Sequence, residues 1–558
     1  MSELEHAALF GEFAMMLGIA VLVGLVAVRL KQPLIVAFIA VGVLLGPTFL
    51  GLVEPNPAME LLAEFGIALL LFVVGLRLDL SLIRTMGPVA LATGLGQITF
   101  TATFVFLITQ LLGMDLVASL YVAAAMSFSS TIIIVKLLSD KREIDSLHGR
   151  IAIGFLIVQD IMVVLTMIVI TAAGAAGENS MLAGEILAVL AKGLGLLVGI
   201  GLLMRYVLPW LLQDVARSTE LLVLFSIAFA VSLAAFSDWI GFSMEVGAFL
   251  AGVALASTPF REAIGSRLVS VRDFLLLFFF ILLGSQLDME SLGLQVNTAL
   301  LLSVFVLVGN PLIVLGIMGF MGFRRRTSFL SGLAVAQISE FSLILAALGV
   351  SQGHIGDDTL GLITLVALIT IGSSTYMILY SHRIFEVISP LLKPFERHKP
   401  FQEERLQDST GETRADIILF GLGRFGEQLA TGFQAEGQNV LVVDFDPMVL
   451  KAWQHHEIPV IYGDAEDPEF LKSLPLHNAQ WVISTMPEQR VNQTLIRGLE
   501  EEGYQGRIAV TANRSDSERL LQMKVTDLVL LPYHEAAAQI VYRLLHSPEE
   551  GHVKAAEG

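Results

Sequence analysis

Apolar runs of about 20 residues, separated by short charged turns, fill the first two thirds of the chain, and that is the length an α-helix needs to cross the hydrocarbon of a bilayer. The runs fall near 10–28, 33–51, 59–76, 87–112, 117–138, 151–174, 182–204, 219–236, 241–257, 273–287, 298–322, 328–349 and 359–381. They predict about thirteen membrane helices. Beyond Arg383 the pattern changes twice. A charged, proline-containing stretch from Lys393 to Thr413 reads as a linker. From Ala415, short apolar segments at Ile417–Phe420, Val440–Val443, Val460–Tyr462, Trp481–Ser484 and Ile508–Thr511 alternate with helical stretches in the manner of a parallel sheet. The expected organisation is a polytopic α-helical membrane domain over 1–390, a linker over 391–414, an α/β Rossmann-like domain over 415–545 and a tail over 546–558.

Loop charge gives the membrane part an orientation. Lys and Arg resist translocation, so basic loops mark the cytoplasmic side. Every second loop is basic: Arg29 and Lys31; Arg77 and Arg84; Lys141, Arg142 and Arg150; Arg205 and Arg217; Arg261, Arg267 and Arg272; Arg324, Arg325 and Arg326; Arg383, Lys393 and Arg397. The loops between them carry Glu54, Asp115, Glu178, Asp238, Asp288, Asp357 and Asp358. One register satisfies them all, with the N-terminus outside and the C-terminal domain in the cytoplasm. Met1–Gly11 is acidic and lacks the basic n-region of a cleaved signal, so the first run reads as a true span. A multi-pass protein of a bacterial inner membrane is expected.

Composition narrows the function. The chain is 55% hydrophobic and 15% charged, with a formal net charge of −18, which argues against a nucleic-acid partner. It has no cysteine, so disulfides and thiolate metal sites are excluded. Neither a serine nucleophile elbow, nor a Walker-type loop, nor a metal-ligand spacing of histidines occurs. Enzymatic chemistry, ATP-driven pumping and a structural metal are therefore not expected.

Two stretches carry chemistry. Gly421-Leu-Gly423-Arg424-Phe425-Gly426 follows the first strand and opens the next helix, and Asp444 ends the second strand eighteen positions after the last glycine. In that context Gly421 allows a tight turn, Gly423 lets the backbone approach a pyrophosphate, Gly426 permits close helix-on-strand packing, and Asp444 accepts ribose hydroxyls. A Rossmann-like domain that has lost its ligand is the competing account.

The other stretch is intramembrane, where an ionisable group costs about 2.5–3.5 kcal/mol on insertion scales. Gln159 and Asp160 stand half-way along the run 151–174, with apolar neighbours for several turns on each side. A carboxylate stripped of water there can hold a proton or a desolvated cation, but hardly both. That competition, with the site opened alternately to each side, is the minimal chemistry of an antiporter. An acid bracing a neighbouring helix is the alternative. Ser127, Ser129, Ser130 and Thr131 interrupt the preceding run, and Gln337, Ser339 and Glu340 interrupt the run 328–349. Such breaks are expected where helices unwind and freed backbone groups face a cavity, and their corresponding positions predict an inverted repeat with an ion site at the half-helix ends. Helix-helix glue is the alternative for each break. Glu64, Lys136, Lys192 and Glu245 lie inside or at the edges of spans, where snorkelling suffices to account for them.

The segments Asp444-Phe-Asp446-Pro447 and Tyr462-Gly463-Asp464-Ala465 resemble the potassium-conductance-regulator, or TrkA-N, type of Rossmann domain. The resemblance implies that Asp444 and Asp464 surround the adenosine of a regulatory nucleotide such as NAD(H) or AMP, and that the domains pair into a homodimer. The Phe-Ser-Ser-Thr break at 128–131, the Gln159-Asp160 pair, Gly247-Ala-Phe-Leu-Ala-Gly252 and the break from Gln337 to Phe341 resemble Kef-type potassium/proton antiporters of the second monovalent cation:proton antiporter family. This implies that Asp160 carries the exchanged K+ and H+, with Gln159 and the hydroxyls as ligands. It also implies a dimerisation part and a mobile core part related by an elevator-like motion.

Two departures change the expectation. Many relatives in the wider superfamily carry Lys-Pro where this chain has Asn310-Pro311, and a lone carboxylate without that lysine implies electroneutral exchange. The stretch from Pro259 to Arg267 is basic, where glutathione-gated relatives carry an acidic loop, so glutathione gating is not implied. The alternatives are a Na+/H+ antiporter on the same fold, a nucleotide-gated potassium channel, and a membrane-anchored nucleotide sensor. No Thr-Val-Gly-Tyr-Gly-like filter supports the channel. An ancillary cytoplasmic subunit is left open.

Overall fold

A computed structural model describes residues 3–395 and 415–546, apart from 176–191, 513–525 and shorter gaps of one to four residues. The chain divides into two compact units, Met1–Ile144 with His148–Arg397, and His398–Gly558 with Asp145–Leu147. In the first unit ten described helices are long and apolar enough to cross a membrane, and Leu34–Leu45, Met244–Ala256 and Glu340–Ser351 are shorter apolar helices. Each expected run overlaps a helix. For 182–204 most of the run lies outside the described residues, and the helix there is Val198–Val215. The linker beyond Phe395, the tail after His546, and Glu54, Arg77, Arg142, Glu178 and Asp288 among the loop charges also lie outside them.

Arg272 corrects one expectation. Counted among the loop bases, it stands inside helix Arg261–Ser285 and is 3% exposed. The helix starts well before the apolar run that predicted it, because an amphipathic extension carries no hydropathy signal.

The membrane helices pack as two groups. In the first, Leu34–Leu45, Pro57–Leu76, Thr219–Trp239, Met244–Ala256 and Arg261–Ser285 lie against one another. Glycines set their approach: a Cβ on Gly252 would stand 2.0 Å from the Phe72 carbonyl oxygen, and one on Gly247 2.3 Å from that of Leu233. In lipid there is little hydrophobic drive between helices, so close backbone contact of this kind supplies the attraction.

The second group comprises Leu80–Leu111, Leu116–Ser127, Thr131–Asp140, Leu147–Ala175, Met289–Val304, Asn310–Met321, Arg325–Leu333, Glu340–Ser351 and Asp357–Leu379. It contains Gln97, Thr101, Gln159, Asn310, Gln337 and Ser374, all fully buried. Polar groups at that depth need partners, and they meet where two helices stop inside the bundle. Ser130 caps the restarted helix Thr131–Asp140 by accepting from the Ile133 N–H at 3.3 Å, and Ser339 caps Glu340–Ser351 by accepting from the Phe341 N–H at 3.1 Å.

Among the described residues the other unit holds six parallel strands, β1 (Ile417–Phe420), β2 (Val440–Asp444), β3 (Val460–Tyr462), β4 (Trp481–Ser484), β5 (Arg507–Thr511) and β6 (Leu528–Leu530). Alternate side chains feed two apolar clusters, Ile418 and Phe420 into one and Ile417 and Leu419 into the other. The order β3-β2-β1-β4-β5-β6 is doubly wound and reverses between β1 and β4, and ligands of such sheets bind in the crevice at the carboxyl ends there.

Candidate ion site and nucleotide crevice

The two interrupted helices cross. The Ser339 N–H donates to the Phe128 carbonyl at 3.0 Å, and the Ser342 hydroxyl to the Ala125 carbonyl at 2.5 Å. Asn310 sits at the crossing and binds both breaks: its amide donates to the carbonyls of Met126 at 3.4 Å and Val335 at 3.3 Å, and its Oδ1 accepts from the Thr101 hydroxyl at 2.8 Å. A relay of side chains continues from there. Gln97 donates to Thr101 Oγ1 at 3.0 Å, Gln159 donates to Gln97 Oε1 at 2.5 Å, and Gln159 Oε1 accepts from the Ser129 N–H at 3.0 Å.

Asp160, next to Gln159, accepts from the Thr131 hydroxyl at 3.0 Å. Thr131 opens the half-helix that restarts after the first break, and the N-terminus of a helix favours negative charge. Gln159 is fully buried, whereas Asp160 and Thr131 are half-buried. Glu340 opens the other half-helix, next to Ser339, whose N–H holds the Phe128 carbonyl of the break that carries Thr131. Asp160, from the middle of Leu147–Ala175, thus bonds the first residue of one half-helix, and Glu340 is itself the first residue of the other.

The remaining expected residues divide. The Ser127 hydroxyl is spent on the Ala123 carbonyl at 2.7 Å, and Ser130 and Ser339 act as caps. Gln337 accepts from the Ser374 hydroxyl at 2.7 Å. Buried side-chain atoms without a hydrogen-bond partner include Ser129 Oγ, Gln337 Nε2 and both Glu340 carboxylate oxygens. Glu64, Lys136 and Lys192 are exposed and Glu245 is half-buried.

Gln97, Thr101, Ser342 and Ser374 belong to this assembly and were not expected. The signal available for the first two was a pair of polar residues four apart, hence on one face, in an otherwise apolar helix. A further unexpected cluster surrounds Glu143, which accepts from Lys141 Nζ at 2.9 Å and lies 3.2 Å from His148 Nε2 and 2.7 Å from His382 Nε2. Burial opposes its charge, but these partners outweigh burial and hold the carboxyl well below the ordinary carboxylate range.

In the second unit the glycines do three different things. Gly421 has φ +91°, open to glycine and strained for other residues, and a Cβ on Gly426 would stand 2.0 Å from the Gly421 carbonyl oxygen. A Cβ on Gly423 would meet nothing within 4 Å. Gly423 is the N-cap of Arg424–Ala435, so the free N–H groups of that helix start lie open to a phosphate. Asp444 accepts from the Leu422 N–H at 2.6 Å and the Asp446 N–H at 2.8 Å, tying the glycine loop to β2. Burial pushes its carboxyl up against those two hydrogen bonds, and each oxygen keeps a lone pair for a ribose hydroxyl. Gly463 donates its N–H to the Asp444 carbonyl at 3.0 Å, and a Cβ there would strike the Phe470 ring. Arg424 is exposed, and Phe425, Asp446 and Asp464 are half-buried.

Residues 17–379 match the family model described as sodium/hydrogen exchanger, transmembrane, and residues 417–532 match the TrkA-N domain. A protein of Alkalimonas amylolytica, named as a candidate K(+) efflux antiporter KefB, is 29% identical over 86% of this chain and 73% of its own length. YbaL of Escherichia coli (strain K12), named as a candidate cation/proton antiporter, is 25% identical over 96% of this chain and 97% of its own. The iron transporter MagA of Paramagnetospirillum magneticum is 31% identical over 66% of this chain and 84% of its own. With crossed half-helices, Asp160 bonded to the first residue of one and Glu340 heading the other, and a family match over more than half its length, the chain belongs to the sodium/hydrogen exchanger family and carries a TrkA-N domain.

Proposed function

We propose that this protein exchanges K+ for H+ across a bacterial inner membrane, electroneutrally, with Asp160 as the group that both ions occupy in turn. The observation that carries the reading is the placement of Asp160 on Thr131, at the head of a half-helix and beside the crossing of both breaks. The donors around it are carboxylate, amide and hydroxyl oxygens, which suit a hard monovalent cation. Relatives named for K+ efflux favour K+ as cargo. At the crossing a neutral amide, Asn310, makes the bridging contacts, so one carboxylate trades one cation for one proton and no net charge moves.

Residues 1–390 would be the exchanger and 415–545 the regulatory domain, its crevice taking an adenine nucleotide such as NAD(H) or AMP between Gly423 and Asp444. The first helix group would be the dimerisation part and the second the mobile core. Helix Pro532–His546 exposes Ile540, Val541, Leu544 and Leu545, an apolar set suited to a partner domain in a homodimer. The alternation of loop charge puts the N-terminus outside and the regulatory domain in the cytoplasm.

Proteoliposomes with a trapped pH dye test the reading. A K+ step should move protons without a membrane current, titration against Na+ ranks the ions, and Asp160→Asn should abolish the signal while eluting as a folded dimer. Proton movement by that variant at the wild-type rate sinks the site assignment, and a K+ current would favour a channel.

A further inference from the structure

Glu340 is 1% exposed, and neither carboxylate oxygen has a hydrogen-bond partner. Ser130, its own backbone N–H, the Arg272 guanidinium and Ser339 are the polar groups that act on it. The residue is not sealed off. It forms part of the wall of a cavity of about 600 Å³ that also reaches Lys31, Lys136, Asp140, Arg272 and Asp273. The cavity lies between the two helix groups: Arg272 and Asp273 stand on Arg261–Ser285 of the first, Lys136, Asp140 and Glu340 on the half-helices of the second.

Arg272 is held loosely. It donates through Nε and Nη2 to Asp273 Oδ1 at 2.9 and 2.7 Å, but the Asp273 side chain is 58% exposed, and water weakens such a pair. A buried guanidinium beside a buried carboxylate without partners gains by turning to it. A cation in the cavity competes for the same two oxygens.

We propose that Glu340 is a second ion-binding carboxylate, which takes the monovalent cation from this cavity and passes it to Asp160, and that Arg272 stands in for the cation once it has moved on. The inference rests on the exchanger reading and adds a station to it. Glu340 heads the half-helix that meets, through the Ser339 N–H and the Phe128 carbonyl, the break whose Thr131 binds Asp160. The cavity reaches the helix ends at Lys31 and Asp140, the latter next to the C-cap Lys141, the cytoplasmic side by loop charge. Because Glu340 rides on one helix group and Arg272 on the other, a slide of the groups exchanges one positive partner of Glu340 for the other.

The test is the apparent KM for K+ in proton-coupled exchange by the full chain in proteoliposomes. Glu340→Gln should raise it by about tenfold or more, the loss of one charge-assisted contact, and Arg272→Gln should lower it. General loosening would not move two buried-charge variants in opposite directions. An unchanged KM in Glu340→Gln, or a raised one in Arg272→Gln, overturns the proposal. An independent readout is thermal stabilisation of the purified protein by KCl against choline chloride. Asp160→Asn should still respond to K+ through Glu340, and Asp160→Asn with Glu340→Gln should not; equal responses overturn the proposal. If Glu340→Gln does not fold, Glu340→Asp, with the carboxylate drawn back by one methylene, should raise KM, and an unchanged value there also overturns it. Wild-type protein that moves Na+ but not K+ condemns the K+ reading instead, and the same comparisons are then made with Na+.

Discussion

Replacing Asn310 by alanine should loosen the crossing on which the ion site is built. Three contacts go: the Thr101 hydroxyl at 2.8 Å, and the amide donations to Met126 at 3.4 Å and Val335 at 3.3 Å. The first is well formed and the other two lie at the weak end of hydrogen-bond geometry. Interhelical hydrogen bonds in membrane proteins average about 0.6 kcal/mol, whereas stranding a buried donor costs about 1–3 kcal/mol. The sum for Asn310→Ala is about 2–3 kcal/mol, or roughly 2–4 °C in the melting temperature of a purified protein of this size. Asn310→Asp separates the contributions. It keeps an acceptor for Thr101 but turns an anion toward two carbonyl oxygens, so it should melt lower than Asn310→Ala. Melting followed by tryptophan fluorescence or size exclusion, with exchange measured alongside, decides the matter. If Asn310→Ala melts with the wild type, or Asn310→Asp is the more stable of the two, Asn310 does not hold the breaks together.

Two further expectations concern other parts of the chain. Gly423→Ala adds a Cβ into open space and Gly426→Ala drives one into the Gly421 carbonyl, so the first should lose nucleotide affinity at little cost in stability while the second destabilises its domain by about 1–3 kcal/mol; calorimetry with NAD(H) and AMP and a melting curve separate them, and equal stability of the two contradicts the geometry. Glu143→Gln removes the negative charge and one of the two acceptor oxygens that Lys141, His148 and His382 share; because that side chain is 15% exposed, the loss should be about 2–4 kcal/mol, below the full penalty of a broken buried pair. The Glu143 carboxyl is held below its ordinary range, so its contribution is complete above the unfolded value of about 4.3 and is lost as pH falls below it. The gap in melting temperature between wild type and variant should therefore narrow below about pH 4, and a gap that widens there would contradict the assignment.

What the sequence disclosed and what it hid follow from the range of the interactions involved. Helix runs are local signals, so the spans from Phe10 to Leu379 were legible from hydropathy. The breaks at Ser127–Thr131 and Gln337–Glu340 were legible because hydroxyls, an amide and an acid interrupt apolar runs. The glycine turn was legible because a strand, a helix and Asp444 stand in fixed register around it. Gln97 and Thr101 were not, since their partners Gln159 and Asn310 lie 62 and 209 positions away. Ser127 illustrates the converse: a polar residue at a break whose hydroxyl serves only its own helix. Arg272 was hidden by its neighbours, because a base on the amphipathic extension of a helix looks like a loop base until packing buries it. The role of Gly247 and Gly252 became physical only when the Leu233 and Phe72 carbonyls were found against them.

The central claim is that K+ and H+ contend for one carboxylate. Its most direct test is the dependence of the apparent K+ constant on pH in proteoliposomes, measured from about pH 6 to about pH 8 on the side where K+ is added. Competition at Asp160 predicts that each unit of acidification raises this constant by up to about tenfold, while the rate at saturating K+ stays level. A K+ constant that holds steady while protons still cross would contradict it.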